Sequence, residues 1–339
     1  MAKDEPMVFC IGTSDEYAKY AAVTITSVCV NNLTRQKEFH IISDSLEKDT
    51  IEMLNATAKK FELNLVLHIL DFSQFDWVKM DSRWTRITLF PLILNEIMPP
   101  YIDRCLCLEV DTMITGNISD FYDIELGNNI MAGSPIGFGI KPGVKSNNLA
   151  IDLEYIEEKR INAGVILFNI KKIREEGIGI NYYHKRYFET QRGMTTTGET
   201  ILNNSHVGRI IYINPALFHY RSYFHNIYLK RGYKTNNKKI VHFTDRRPIF
   251  QKPWIVFFED NPKMYFNPCE GIQKEVHNLI QEIYSEWWYY AKSSVNYSNL
   301  RLSMEERSEF YKKYIWPIID ETGEHKSDKD KTCHTWDHK

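Results

Sequence analysis

Short apolar runs rich in β-branched and aromatic residues alternate with longer helix-patterned segments at the start of the chain, and this alternation restricts the fold. "MVFCIG" (residues 7–12) is strand-like, "TSDEY" breaks it, and "YAAVTITSVCVNN" (20–32) carries apolar residues around most of a helix. "FHIISD" (39–44) is a second strand, "EKDTIEMLNATAKKFE" (47–62) a second helix, and "NLVLHIL" (64–70) a third strand. Parallel neighbours need a crossover helix between them, so the pattern predicts an α/β domain with a mainly parallel sheet flanked by helices. Ligands of such sheets sit beyond the carboxyl ends of the strands, here the "GTSDEY" turn and the turns after later strands.

Further along, "SRWTRITLFPLILNEIMPP" (82–100) is helix-patterned and stops at a proline pair, and "RCLCLEVD" (104–111) is a strand. "NIMAGSPIGFGIKPG" (129–143) has the Gly and Pro content of loop, and "INAGVILFNIKKIREEG" passes from strand to helix. "RIIYINPALF" and "KKIVHFTD" are further strands. From about residue 270 the chain turns helical and aromatic, in "EVHNLIQEIYSEWWYYAKSS" and "EERSEFYKKYIWPII", before a polar stretch of mixed charge that has the composition of disorder.

With 42 Lys and Arg against 44 Asp and Glu, the net charge of −2 supplies no basic field for nucleic acid. The six cysteines are scattered without a C-x-x-C pair and fit small buried hydrophobes in a reducing compartment. No basic segment leads into a long apolar stretch at the N-terminus, and nowhere do about 18 apolar residues run together. The expectation is a cytoplasmic protein without a membrane span.

"CLCLEVDTMI" poses the chemical question. Residues i and i+2 of a strand share a face, so Glu109 and Asp111 would project together from the end of an apolar strand. They could cap the next turn or pair with arginines; alternatively a cation could resolve the cost of unpaired charge beside apolar surface. Carboxylate oxygens suit Mn2+ or Mg2+. His242, after the apolar run of "KKIVHFTD", is either a packed histidine or a third ligand, and Arg246, Arg247 and Lys252 near it could meet phosphate.

In chain order, "SDEYAKYAAVTITSV", "TRITLFPLILNEIMP", "CLCLEVDTMITGNISDFYD", "INAGVILFNIKKIREEG", "ETILNN" and "IVHFTDRRPIFQKPW" resemble the retaining glycosyltransferase family 8 over about residues 7 to 254. That family includes bacterial lipopolysaccharide galactosyl- and glucosyltransferases and glycogenin. The resemblance implies a GT-A nucleotide-diphospho-sugar transferase fold over residues 1–268, a helical C-terminal extension over 269–320 and a tail over 321–339. It implies a UDP-sugar donor, with Mn2+, or Mg2+ in its place, bridging protein and diphosphate. Glu109, Val110 and Asp111 stand at the family's D-x-D, with glutamate for the first aspartate, and His242 at its histidine.

The resemblance also places Lys252 at the family's K-P-W, although the loop before it is longer than usual. Arg86 matches the helix arginine of Y-x-R that faces donor phosphate or sugar, and Asn162 the N-A-G asparagine that contacts the transferred hexose. Thr13, Ser14, Asp15 and Tyr17 occupy the uridine-binding turn, where Ser14 replaces a common aspartate; a turn of such residues could equally be a helix cap. In the D-Q-x-x-x-N pattern the aspartate position is Gly198 and the glutamine position Glu199. A carboxylate there could act as nucleophile or electrostatic stabiliser, or merely cap the helix that follows.

The implied reaction is retaining transfer of galactose or glucose from UDP-galactose or UDP-glucose to a glycan or glycolipid acceptor such as lipopolysaccharide core. The alternative is a catalytically inactive nucleotide-sugar-binding protein of the same fold. Trp287, Trp288, Tyr289, Tyr290 and Trp316 could form an acceptor platform, a peripheral contact with the membrane, or a core between helices.

Overall fold

A computed structural model describes residues 5–80, 84–136, 149–156, 158–230, 232–244, 252–254, 274–298 and 300. The chain divides into two compact units, Met1–His242 and Phe243–Lys339.

The first unit is built on a seven-stranded sheet of order β3-β2-β1-β4-β7-β6-β8. Its strands are β1 (Met7–Gly12), β2 (Lys37–Ser43), β3 (Asn64–Ile69), β4 (Cys105–Leu108), β6 (Met131–Pro135), β7 (Ile161–Phe168) and β8 (Ile210–Tyr212). Only β7 runs against its neighbours; the other pairings are parallel, as the alternation predicts. A second, two-stranded antiparallel sheet joins β5 (Thr112–Ile114) to β9 (Ile240–His242) and sets Thr112 opposite His242.

Strands buried on both faces read as continuous apolar runs, and β1, β2 and β4 are almost wholly buried. Helix α1 (Ala18–Asn31) is buried around most of its circumference, as its sequence requires, whereas α2 (Lys48–Phe61) buries only Leu54 and Thr57 fully. On one side of the sheet Met7, Phe9, Ile11, Phe39 and Ile41 pack with Ala21, Ile25 and Val28 of α1, and the Phe9 and Phe39 rings stack at 4.8 Å. Cys10, Cys29, Cys105 and Cys107 are buried free thiols.

Polar residues of α1 serve the small sheet. The Thr24 hydroxyl reaches the carbonyl oxygens of Val110 (3.0 Å) and Thr112 (2.9 Å), the Ser27 hydroxyl accepts from the Ile114 N–H (3.0 Å), and the Asn31 amide donates to the Ile114 carbonyl (2.9 Å). This helix therefore fixes the backbone on either side of Asp111.

Four local expectations are corrected. The segment expected as one helix over 82–100 holds an eight-residue 3-10 helix, Arg86–Ile93, and then one α-turn, Leu94–Ile97. Pro91 lies inside it, and an α-helix cannot absorb the missing N–H and the ring's clash with the preceding turn. Within the expected loop 129–143, Met131–Pro135 is a buried strand, since small residues fit between β7 and β8; a Cβ on Gly133 would meet Ile161 at 2.6 Å. The strand expected over "RIIYINPALF" stops at Tyr212, and Asn214 caps a short helix, Pro215–Phe218. Finally, β4 ends at Leu108, so Glu109 and Asp111 lie in the turn between β4 and β5 rather than on a strand face.

In the second unit, the helix Lys274–Ser293 buries Ile280, Ile283, Tyr284, Trp287 and Tyr290, an apolar stripe at helical spacing. Trp287 packs on Trp254 with ring centroids 5.6 Å apart, while Tyr289 stays 59% exposed. Trp287 and Tyr290 thus belong to a core. Trp316, the second expected helix, the tail and the expected boundary at residue 268 lie outside the described residues. Among the described residues no helix is long and apolar enough to cross a membrane.

Thr24→Val keeps the shape of the side chain and removes its two hydrogen bonds to the acid-bearing turn. The expected loss is about 1–2 kcal/mol of unfolding free energy in urea titration, with the far-ultraviolet circular dichroism unchanged.

Candidate active site

The acid-bearing turn is closed by the Thr112 N–H donating to the Glu109 carbonyl at 3.1 Å and by the Thr112 hydroxyl donating to the same oxygen at 2.7 Å. Beyond it, β5 pairs with β9, and the register delivers His242 to the residue next to Asp111. His242 Nε2 lies 3.0 Å from Glu109 Oε2 and 3.1 Å from Asp111 Oδ1. The pair therefore shares one partner, although a turn and not a strand face brings it together. Asp111 and His242 are buried and Glu109 is partly open.

This donor set fits a hard divalent cation. Two ligands at right angles on a cation with bonds of about 2.1 Å stand about 3.0 Å apart, which is the spacing of each carboxylate from Nε2. Carboxylate oxygens with one imidazole nitrogen suit Mn2+ or Mg2+. Burial pulls the His242 pKa down, but the charges and hydrogen bonds of Asp111 and Glu109 outweigh it and hold the imidazole above its ordinary value.

Two neighbours shape the His242 ring. Gly164 in β7 is packed so closely that a Cβ there would stand 2.0 Å from His242 Cε1. On the other side His219 meets it edge to edge and nearly coplanar, centroids 4.9 Å apart and planes at 17°, with His219 Nε2 2.7 Å from His242 Nδ1. Complete burial, with Arg221 and His242 adding to it, holds His219 well below the usual histidine range.

The start of β7 links this cluster to Glu199. Glu199 Oε2 accepts from the Asn162 amide at 3.0 Å and the Ala163 N–H at 2.9 Å, and the Glu109 N–H donates to the Gly164 carbonyl at 3.0 Å. Glu199 therefore does not cap its helix, Gly198–Ser205; the Thr197 hydroxyl does, accepting from the Thr200 N–H at 3.3 Å. Asn203 locks the same helix to β7, accepting from the Ile161 N–H and donating to the Ile161 carbonyl. Burial raises the Glu199 pKa, the Ala163 N–H opposes it, and Glu109 pushes it up further. At Gly198 a Cβ would approach the Thr88 carbonyl to 2.9 Å, so the helix start packs on the 3-10 segment with no space for a side chain.

The remaining expected residues are spread over other surroundings. Thr13 is buried and its N–H extends the β1–β2 ladder to Ile42, and Ser14 offers its carbonyl to the first turn of α1. The reading of this turn as a side-chain cap of α1 is corrected: that helix has no side-chain cap, and Asp15 instead accepts the Glu47 N–H, at the start of α2, at 2.7 Å. Tyr17 is 44% exposed and meets Tyr20 edge-on. Val110 contributes its carbonyl to Thr24. Arg86 pairs with Asp76 at 2.6 Å and lines an open groove of about 820 Å³ with Asp44, Asp71 and Ser73. In the second unit Lys252 donates to the Phe243 carbonyl. Arg246 and Arg247 lie outside the described residues.

Sequence reasoning missed His219 and the packing role of Gly164. The N-A-G motif pointed to the neighbourhood of Gly164; no spacing or composition marked His219.

Without a cation, protonated His242 between two carboxylates stabilises the fold. Its folded pKa lies above the unfolded value of about 6.5, so this stability is complete below that pH and disappears as pH rises through the folded pKa. The melting temperature in chelator is expected to fall over that window, and the increment on adding Mn2+ to grow with pH because cation replaces proton. Gly164→Ala forces His242 out of its place; we expect Mn2+ binding at least ~10-fold weaker by calorimetry and a stability loss of about 1–3 kcal/mol.

Comparison with known proteins agrees with this architecture. The model of glycosyl transferase family 8 matches residues 8–255. A lipopolysaccharide 1,3-galactosyltransferase of Salmonella typhimurium is 22% identical over 238 residues, 68% of each chain. A lipopolysaccharide 1,2-glucosyltransferase of Escherichia coli is 26% identical over 114 residues, a span of 34% of each chain. Among solved structures, galactosyltransferase LgtC in complex with donor and acceptor sugar analogs superposes with a TM-score of 0.59 at 20% identity, covering 83% of this chain and 96% of LgtC. An active-site mutant of LgtC with glutamine changed to glutamate gives 0.58 at 19% identity, covering 81% and 95%. The sheet order, the single reversed strand and the family match over most of the chain lead to one conclusion: this chain belongs to glycosyl transferase family 8 and has the GT-A fold.

Proposed function

We propose that the protein is a divalent-cation-dependent retaining hexosyltransferase. It takes galactose or glucose from UDP-galactose or UDP-glucose and passes it to a glycan or glycolipid acceptor such as lipopolysaccharide core. The observation that carries this reading is the convergence of Glu109, Asp111 and His242 within 3.0–3.1 Å beyond the end of β4. The matched lipopolysaccharide galactosyl- and glucosyltransferases support the acceptor class and the two hexoses.

Held by these three residues, Mn2+ or Mg2+ would supply charge to stabilise the diphosphate as it leaves. The protein's own groups do the rest. Thr13, Ser14, Asp15 and Tyr17 form the uridine-binding turn between β1 and α1, with the Val110 backbone beside the acids, and Arg86 brings positive charge to the donor. Asn162 contacts the hexose, and its amide holds the Glu199 carboxylate by one oxygen. Both bonds that fix Glu199 fall on Oε2, which leaves Oε1 to face developing positive charge on the sugar. That oxygen serves either as the nucleophile of a covalent intermediate or as an electrostatic partner to a short-lived ion pair, the two routes to retention. The glutamate-bearing LgtC mutant among the structural relatives supports a carboxylate being accommodated in such a fold. We place the protein in the cytoplasm, with peripheral contact at the membrane where a glycolipid acceptor would be met.

A second reading is a nucleotide-sugar-binding protein without turnover, favoured by the Glu199 carboxylate being tied to Asn162 and Ala163. One experiment separates the two. UDP release from UDP-galactose and UDP-glucose is followed with an acceptor panel, in Mn2+ and in chelator. We expect release with one donor, its loss in chelator, and at least a ~1000-fold loss in Asp111→Ala. Full activity in chelator would sink the cation; donor-dependent thermal stabilisation with no release or transfer would favour the binding protein.

A further inference from the structure

We propose that His219 is a positioning residue for the cation site: it fixes the tautomer and ring plane of His242 so that the Nε2 lone pair points between Glu109 and Asp111. The proposal rests on the cation reading above and adds a residue that stands outside the three ligands.

A neutral imidazole carries one ring proton. For His242 to offer Nε2 to a cation, that proton must reside on Nδ1, and a buried N–H needs an acceptor. The atom in place is His219 Nε2, 2.7 Å away. With a cation on His242 Nε2, His219 presents a lone pair at Nε2 and keeps its own proton on Nδ1, an atom buried without a hydrogen-bond partner among the described residues, a cost that cation binding must offset. Both rings are out of contact with water, at 2% and 0% exposure, so solvent cannot take over this role.

Orientation follows from packing. The in-plane hydrogen bond to the nearly coplanar His219 ring and the close packing of Gly164 on the Cε1 edge hold the His242 ring plane. The segment bearing His219 is itself locked against β9: the His242 N–H donates to the Tyr220 carbonyl at 2.9 Å, and the Tyr220 N–H to the Ile240 carbonyl at 2.8 Å. One pairing therefore places donor and acceptor together. Partners of this kind typically change metal affinity by about 10–100-fold when removed.

The test uses the full chain and Mn2+ as probe. His219→Phe keeps an aromatic ring and deletes the acceptor; His219→Gln puts an amide oxygen near the Nε2 position. We expect Mn2+ affinity, read by electron paramagnetic resonance, to fall ~10–100-fold in His219→Phe and to recover largely in His219→Gln. In the wild type loaded with diamagnetic Mg2+, long-range nitrogen-15 spectra of labelled histidines should show His219 with Nε2 unprotonated and His242 with Nδ1 protonated. This second readout holds if the phenylalanine variant fails to fold. A folded His219→Phe that binds Mn2+ like the wild type, or a proton on His219 Nε2 in the Mg2+-loaded protein, overturns the proposal. Mn2+ uptake absent in the wild type, or unaffected by Asp111→Asn, sinks the cation reading itself and this proposal with it.

Discussion

The site depends on one antiparallel pairing, β5 with β9. Glu109 and Asp111 are local in sequence to the end of β4, but the imidazole between them comes from 131 positions after Asp111. Two buried or half-buried carboxylates facing each other without a cationic partner would be costly, and His242 is the partner that the pairing supplies. The Thr112–His242 register leaves little choice: a slip of one residue would turn His242 to the opposite face of the ribbon.

The rest of the first unit can be understood as support for that pairing. Helix α1 holds β5 through Thr24, Ser27 and Asn31, which explains polar residues in a helix buried on nearly every side. Strand β7 presses Gly164 against His242 and presents Asn162 and Ala163 to Glu199. Asn203 then ties the Glu199 helix back to the same strand. The Glu109–Asp111–His242 cluster and Glu199 are thus joined through a few residues of one reversed strand, so that they keep a fixed relation to one another.

Departures from the family pattern acquire physical meaning in this setting. Gly198 is more than a lost aspartate, because the backbone there approaches the Thr88 carbonyl too closely for any side chain without a shift. Glu199 is more than a helix-capping acid, because its oxygen is held from two sides by β7. Glu109 remains a first acid with the longer reach of glutamate, and it contacts Nε2 as closely as Asp111 does.

The sequence by itself determined the parallel layering, since apolar runs at strand length alternate with helix periods, and it placed two acids at the end of a central strand. It also carried the ordered motifs that mark the family. It misjudged the segment around Pro91, where helical periodicity survives but α-helical geometry cannot, and the strand Met131–Pro135, whose glycine and proline suggested a loop. Only the tertiary structure decided that the acids share one imidazole and that His219 lies behind it. The physical reason is that these contacts arise from pairings between strands far apart in the chain, and such pairings leave no period, cap or spacing in the local sequence.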